Sequence, residues 1–222
     1  MKTHARACWL ALCLMAVPVY AQEEDWLAVA PKAGTLGLGG DLIVRLSPEF
    51  NTRLGINALG TDLDLSFSGI DYKVGLDFLS ASAILDWHLF DNGFRVSAGV
   101  LYNQNEADFD AKWRNSYNIG NATYQSDDVG NLTGDFSYDQ KFAPYVGIGW
   151  GNAFDSDKRY GLMCDFGVVY TGNPDIALRS TGPLASDATF QADLAREADK
   201  IEHDLNALKF YPVIAVSLFY RF

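Results

Sequence analysis

The strongest constraint in this chain is a strict alternation of side-chain character that recurs in five segments. From Leu36 the even positions read Leu36, Leu38, Gly40, Leu42, Val44 and Leu46, against Thr35, Gly37, Gly39, Asp41, Ile43 and Arg45. The same pattern runs through Phe94–Tyr102, Phe142–Trp150, Tyr160–Tyr170 and Pro212–Phe222, with the even positions large and apolar each time. Period two is the signature of a strand with two different faces. The second face mixes Gly, Ser, Asn, Asp and Arg, and glycine there suits the crowded interior of a small barrel. Alternation alone leaves a soluble sandwich or barrel and a membrane barrel both open. No segment has the 18 consecutive apolar residues that would read as a membrane-spanning helix.

The first 21 residues read as an address. Lys2, His4 and Arg6 precede the apolar run Ala7–Val17, and Val19-Tyr20-Ala21 suits a cleavage site before Gln22. Eleven apolar residues are too few to span a bilayer, and the layout is that of a secretory signal. Cys13 invites a lipoprotein reading, against which Leu12 stands where a small residue is expected. Cleavage would leave Cys164 as the only cysteine, so no intramolecular disulfide is expected. The residues after 21 carry 15 basic and 28 acidic side chains, a net −13. So acidic a chain is a poor nucleic-acid binder, because phosphate contacts require a basic patch.

Eight strands are expected: Trp26–Ala33, Leu36–Leu46, Phe50–Phe67, Ile70–Phe90, Phe94–Gln104, Phe142–Gly151, Tyr160–Thr171 and Phe210–Phe222. Ser47-Pro48-Glu49, Asp91-Asn92-Gly93 and Ala153–Lys158 are short polar turns. The alternation slips phase near Leu59-Gly60 and Phe78-Leu79, which reads as a pair of bulges below a tall hairpin turning at Ser68-Gly69. The links alternate in length, with Asn105–Lys141 and Gly172–Lys209 on the long side. Short turns at one end and long loops at the other are the layout of outer-membrane barrels. Trp26, Phe50, Trp87, Phe90, Phe94, Trp150, Phe154, Tyr160, Tyr220 and Phe222 gather at the short-turn end, as an interfacial girdle requires. The fold class is therefore all-β: an eight-stranded antiparallel transmembrane β-barrel over residues 22–222, with one amphipathic helix in its last extracellular loop.

The chain closes Leu218-Phe219-Tyr220-Arg221-Phe222, which resembles the C-terminal assembly signal of bacterial outer-membrane proteins, with Tyr220 and Phe222 as its aromatic positions. With the signal segment, the whole resembles the small eight-stranded Gram-negative barrels of the OmpA/OmpX/OmpW-like class. Ala33-Gly34-Thr35-Leu36-Gly37, Asp86-Trp87-His88 and Pro144-Tyr145-Val146-Gly147-Ile148-Gly149-Trp150-Gly151-Asn152 resemble an uncharacterised proteobacterial group within it. The resemblance implies residence in the outer membrane, contact with lipid and lipopolysaccharide, and delivery by the barrel-assembly machinery. It implies little about activity, because that class hosts adhesins, lipid enzymes and narrow channels.

The residues point away from catalysis. After the signal only His88 and His203 remain, and no nucleophile motif or metal-ligand spacing accompanies them. His88 is expected inside the barrel near the periplasm, in polar contact with Asp86 or Arg95. The inward charges are Asp41, Arg45, Arg53, Asp86, Arg95, Asp165 and Arg221, nearly balanced, as buried charges must be. With His88 they form the expected polar network of the lumen. The competing reading is a narrow polar pore. The acidic pairs Asp62/Asp64, Asp108/Asp110, Asp127-Asp128 and Asp155/Asp157 lack the pattern of a calcium loop and read as solvated. No cofactor is implied. Phe190, Leu194, Ala198, Ile201, Leu205 and Leu208 recur at helical spacing over residues 187–208, with Ser186 and Asp187 available as caps. That helix is about 33 Å long. It must bury its stripe across the mouth, in the lumen, on lipid or against an extracellular partner. The expected function is a non-enzymatic integral barrel with an envelope-structural or surface-interaction role; the alternatives are a narrow channel for small or hydrophobic solutes and, more remotely, a lipid-modifying enzyme.

Overall fold

The computed structural model describes residues 25–67, 70–90, 92–113, 116–155 and 158–222. The expected signal segment and the turn positions Ser68, Gly69, Asp91 and Asp157 lie outside the described residues. In chain order the strands are β1 (Leu27–Gly34), β2 (Gly37–Arg45), β3 (Phe50–Phe67), β4 (Ile70–His88), β5 (Phe94–Asn103), β6 (Glu106–Trp113), β7 (Ser116–Ile119), β8 (Ala122–Gln125), β9 (Leu132–Tyr138), β10 (Phe142–Trp150), β11 (Tyr160–Tyr170), β12 (Pro174–Ser180) and β13 (Phe210–Arg221). The helices are α1 (Ser126–Val129) and α2 (Ala188–Asp204).

Eight strands close into a barrel in the order β1-β2-β3-β4-β5-β10-β11-β13, every neighbour antiparallel. Following paired residues once around, Arg221 leads through Ala28, Ile43, Arg53, Ile84, Gly99, Tyr145 and Val169 back to β13 at Tyr211. The ladder thus returns ten residues further along its own strand. A shear of ten over eight strands requires a tilt of ~40°, within the range that membrane barrels adopt.

Burial decides between the two barrels that alternation left open. Leu38, Phe142 and Leu162 are 68%, 69% and 69% exposed, while Asp41, Arg53, Asp86, Arg95 and Asp165 are buried. A soluble barrel would have these faces reversed. Two aromatic rings bound the apolar belt. Near the short turns Phe50 stacks on Trp87 and Tyr220 meets Phe222; at the other end Tyr102 pairs with Phe142 and Tyr170 with Phe210. Phe210 and Tyr220 are ten residues apart on β13, or ~26 Å of height at ~40° tilt, close to the ~25 Å apolar band of such barrels. Phe154 does not belong to the girdle. It turns inward, 9% exposed, among Ala28, Ile43, Met163 and Phe219. The turn after β10 folds back into the mouth, where a ring finds more apolar contact than at the headgroups.

The expected bulges are absent. β3 and β4 pair without interruption from Phe50↔Trp87 to Phe67↔Ile70. The phase slip is a change of surroundings: above the belt the lipid-side face meets water and carries Asp62, Asp64 and Asp77, while Leu59, Leu63, Val74 and Leu76 move to the lumen-side face. The loop Asn105–Lys141 and the segment after β11 extend this ribbon. β6 joins the upper half of β4, β9 joins β6 and β12 joins β9. One apolar row crosses the strands as Leu76, Ala107, Phe136 and Ile176. In the next row the Phe109 ring lies over Gly134, where any Cβ would sit 2.1 Å from it.

α2 covers the top of this sheet. Asp187 caps it by accepting from the Thr189 and Phe190 amides, and Phe190, Leu194 and Ala198 bury its apolar stripe. Phe190 and Leu194 share a core with Ile119 and Val129, packed by Leu132 and Leu178. The helix therefore belongs to an outer domain built by the barrel's own loops. Its Glu202 accepts from the Ile176 amide on β12, which covers part of an otherwise open sheet edge.

Candidate functional site

The lumen has three levels, and the middle one is charged. Arg53, on β3, reaches three carboxylates. Its Nε is 2.6 Å from Asp86 Oδ2 and its Nη2 donates to Asp86 Oδ1 at 3.0 Å. It grips Asp165 through Nη1 and Nη2 at 3.1 and 3.0 Å, and Nη1 lies 3.6 Å from Asp41 Oδ2. Arg95 Nη2 donates to Asp165 at 2.7 Å and its Nη1 to the Gly151 carbonyl at 2.5 Å. Lys32 Nζ holds Asp41 at 2.5 Å, and Ser97 Oγ donates to Asp86 at 2.5 Å. Three carboxylates thus face three cations, every charge answered, as a buried layer demands. Glycines make the room: a Cβ on Gly55 would sit 2.1 Å from Asp41 Oδ1, and one on Gly149 2.8 Å from the Arg95 guanidinium carbon.

Below this layer the lumen is plugged. Asn152 Oδ1 accepts from the Phe154 amide and from Asn51 Nδ2, which holds the turn inside the mouth. His88 meets Asn51 through Nε2 at 2.9 Å. Above it lies a small half-enclosed cavity lined by Lys32, Ile84, Leu101, Tyr145 and Val213. Ile84, Leu101, Ala143, Tyr145, Val169 and Val213 form one apolar cluster on this level. The outer sheet leans over the top: the Tyr138 hydroxyl bonds Thr171, and burial pushes that hydroxyl above its usual titration range. In the outer domain Tyr124 donates to Asp193, which also holds Arg196. The bond to Asp193 raises the Tyr124 hydroxyl.

Of the residues the sequence marked, Asp41, Arg53, Asp86, Arg95 and Asp165 meet in one network. His88 sits at its periplasmic border. Arg221 pairs with Asp25 at 2.9 Å on the rim rather than in this charged layer, and Arg45 ends β2 opposite Asn51. Tyr220 and Phe222 point outward, 44% and 57% exposed. Lys32 was missed, although Ala28, Ala30 and Lys32 alternate with Leu27, Val29 and Pro31 and so share the inward face. Among the described residues no group of three or more His, Cys, Asp or Glu is placed to hold a metal. Chemically, the lumen offers a sealed floor and a small two-sided pocket above it.

Comparison with known proteins follows the same lines. The chain superimposes on the crystal structure of Acinetobacter baumannii CarO with a TM-score of 0.63 and 25% identity, covering 89% of this chain and 98% of that one. CarO2 of the same organism matches with a TM-score of 0.63 at 25% identity, over 90% and 100%. CarO is an eight-stranded outer-membrane barrel, and the present chain is an outer-membrane barrel of the same architecture. No protein-family model and no curated protein matches the sequence.

Proposed function

We propose that this outer-membrane barrel is non-enzymatic and non-conducting, and that it works through the domain it carries on the cell surface. The observation behind this reading is the double closure of the lumen. Phe154 fills the periplasmic mouth, and Arg53 ties Asp41, Asp86 and Asp165 across the middle. An eight-stranded interior is only just wide enough for its own side chains, so ions have no route unless this layer parts. The outer domain, by contrast, is built from β6, β7, β8, β9 and β12 beyond the ribbon pair plus α2, which is more than closing a barrel requires. Its apolar stripe is spent internally, so a surface partner would meet the polar side of α2 around Asp199, Lys200 and His203. The belt faces lipid and lipopolysaccharide, and Tyr220 and Phe222 serve the assembly machinery. Planar-bilayer recording of the purified protein tests the proposal: no reproducible unitary current is expected, and steady single-channel steps would replace it with a narrow channel.

A further inference from the structure

The outer sheet ends on an open edge. β12 pairs with β9 on one side, and among the described residues no strand lies on the other. The backbone directions are fixed at its two ends, where the Asp139 amide donates to the Asn173 carbonyl and the Thr181 amide to the Asn131 carbonyl. Odd residues of β12 therefore turn their amides and carbonyls toward β9, while Pro174, Ile176, Leu178 and Ser180 turn theirs to the open side. Pro174 has no amide hydrogen to offer. The Ile176 amide donates to Glu202 Oε1 at 2.9 Å, so a side-chain carboxylate stands where the carbonyl of a partner strand would. Beyond it the Leu178 and Ser180 amides and the Ile176 and Leu178 carbonyls face outward at the spacing that strand addition uses.

Alongside this edge runs a half-open cleft of about 240 Å³ between β12 and α2. Ile176, Leu178, Leu194 and Ala198 line its apolar side, and Gln191, Asp199 and Glu202 its polar side. A ~150 Å³ cavity holds a six-carbon ring, so this cleft takes one long side chain. Its charged lining groups are both acids. Among the described residues neither has an ion-pair partner, whereas Asp193 and Glu197 on the same helix are held by Arg196 and Lys200. An aliphatic wall below two unanswered carboxylates suits the stem and head of an arginine or lysine. The opposite face of the sheet has the same sign. Asp62, Asp108 and Asp135 stand in one row across the paired strands, and the row reaches the edge at Ala177. On that face Arg179 pairs with Asp135.

We propose that β12 is completed by an extended, basic segment of a partner protein, added as a further antiparallel strand. The residue opposite Ala177 sets a cation at the end of the acidic row. Those opposite Ile176 and Leu178 point to the cleft, where one basic side chain lies along Leu194 and Ala198 and reaches Asp199 and Glu202. Drawn to that cation, Glu202 releases the Ile176 amide to the incoming carbonyl. This names the partner's chemistry for the surface role above and rests on that reading; bilayer recording tests the reading, and peptide binding tests the inference.

The test uses the full mature protein refolded in phosphatidylcholine vesicles, whose lipid carries no net charge to hold a basic peptide. The probe is the heptapeptide TVRRRVT, blocked at both ends and titrated by calorimetry. Saturable binding is expected, with added hydrogen-exchange protection on β12 over residues 174–180. A peptide methylated on the amides of its first and third arginines keeps its charge but loses two bonds to the edge, and should bind at least tenfold more weakly. The glutamate counterpart TVEEEVT should not bind measurably. Asp199→Lys, at an exposed position of α2, should weaken the arginine peptide at least fivefold while hydrogen exchange in the barrel stays unchanged. Equal binding of the methylated peptide, or binding without protection of β12, would overturn strand addition. Binding of the glutamate peptide, or unchanged affinity in Asp199→Lys, would overturn the role of the acidic cleft. No binding by any peptide to a barrel that records no current would overturn this inference and leave the surface role standing.

Discussion

Replacing Arg53 with Met removes the hub of the charged layer while keeping a long side chain in place. The guanidinium is in contact with three carboxylates, two of them through paired contacts at 2.6 to 3.1 Å. After the substitution Asp41, Asp86 and Asp165 would face only Lys32 and Arg95, one uncompensated charge in a site about 2% exposed at Arg53. Removing one partner of a buried ion pair costs about 3–5 kcal/mol, mostly the penalty of the charge left behind. Arg53→Met combined with Asp86→Leu restores the balance at two acids and two bases. The double variant should be less destabilised than the sum of the single variants by about 0.5–3 kcal/mol, the usual range for residues in one network. Urea unfolding in lipid vesicles, followed by tryptophan fluorescence and by heat-modifiable migration, measures each term. A loss below about 1 kcal/mol for Arg53→Met would refute the reasoning, as would a double variant at least as unstable as the sum.

Val216 lies mid-belt on the lipid face, 56% exposed, so Val216→Arg should cost about 2–4 kcal/mol and Phe210→Arg, at the interface, about 0–1; equal costs in the same titration would mean the belt is misplaced. Deleting Phe222 should sharply lower assembled, heat-modifiable barrel in outer-membrane fractions, and unchanged assembly would remove the tail's role as a signal. Phe154→Ala should cost about 3 kcal/mol yet give no unitary current, because the charged layer remains; current would show that the plug alone seals the lumen. Asp187→Ala removes the cap of α2 and should cost the outer domain about 1 kcal/mol, read as faster proteolysis of the outer loops with the barrel intact.

Alternation is a local property, set by where successive Cβ atoms point, and so it was readable from single segments: five strands, their two faces and the helix at α2 needed no tertiary information. Asp41, Arg53, Asp86, Arg95 and Asp165 were legible as inward charges for the same reason. Which of them meet was not, because contact across a lumen depends on strand order and on a shear of ten residues that only closure fixes. Lys32 joins the network while Arg221 stays on the rim, since closure sets the two at different heights. The phase slip at Leu59 and Phe78 was visible but misread: a bulge and a change of surroundings look alike in sequence, and the unbroken β3–β4 ladder separates them. The outer strands β6, β9 and β12 are short and mixed in character, so their pairing depends on the tall ribbon that templates them. Local chemistry determined what each strand is; the closed, tilted barrel decided which side faces lipid and which charges are answered.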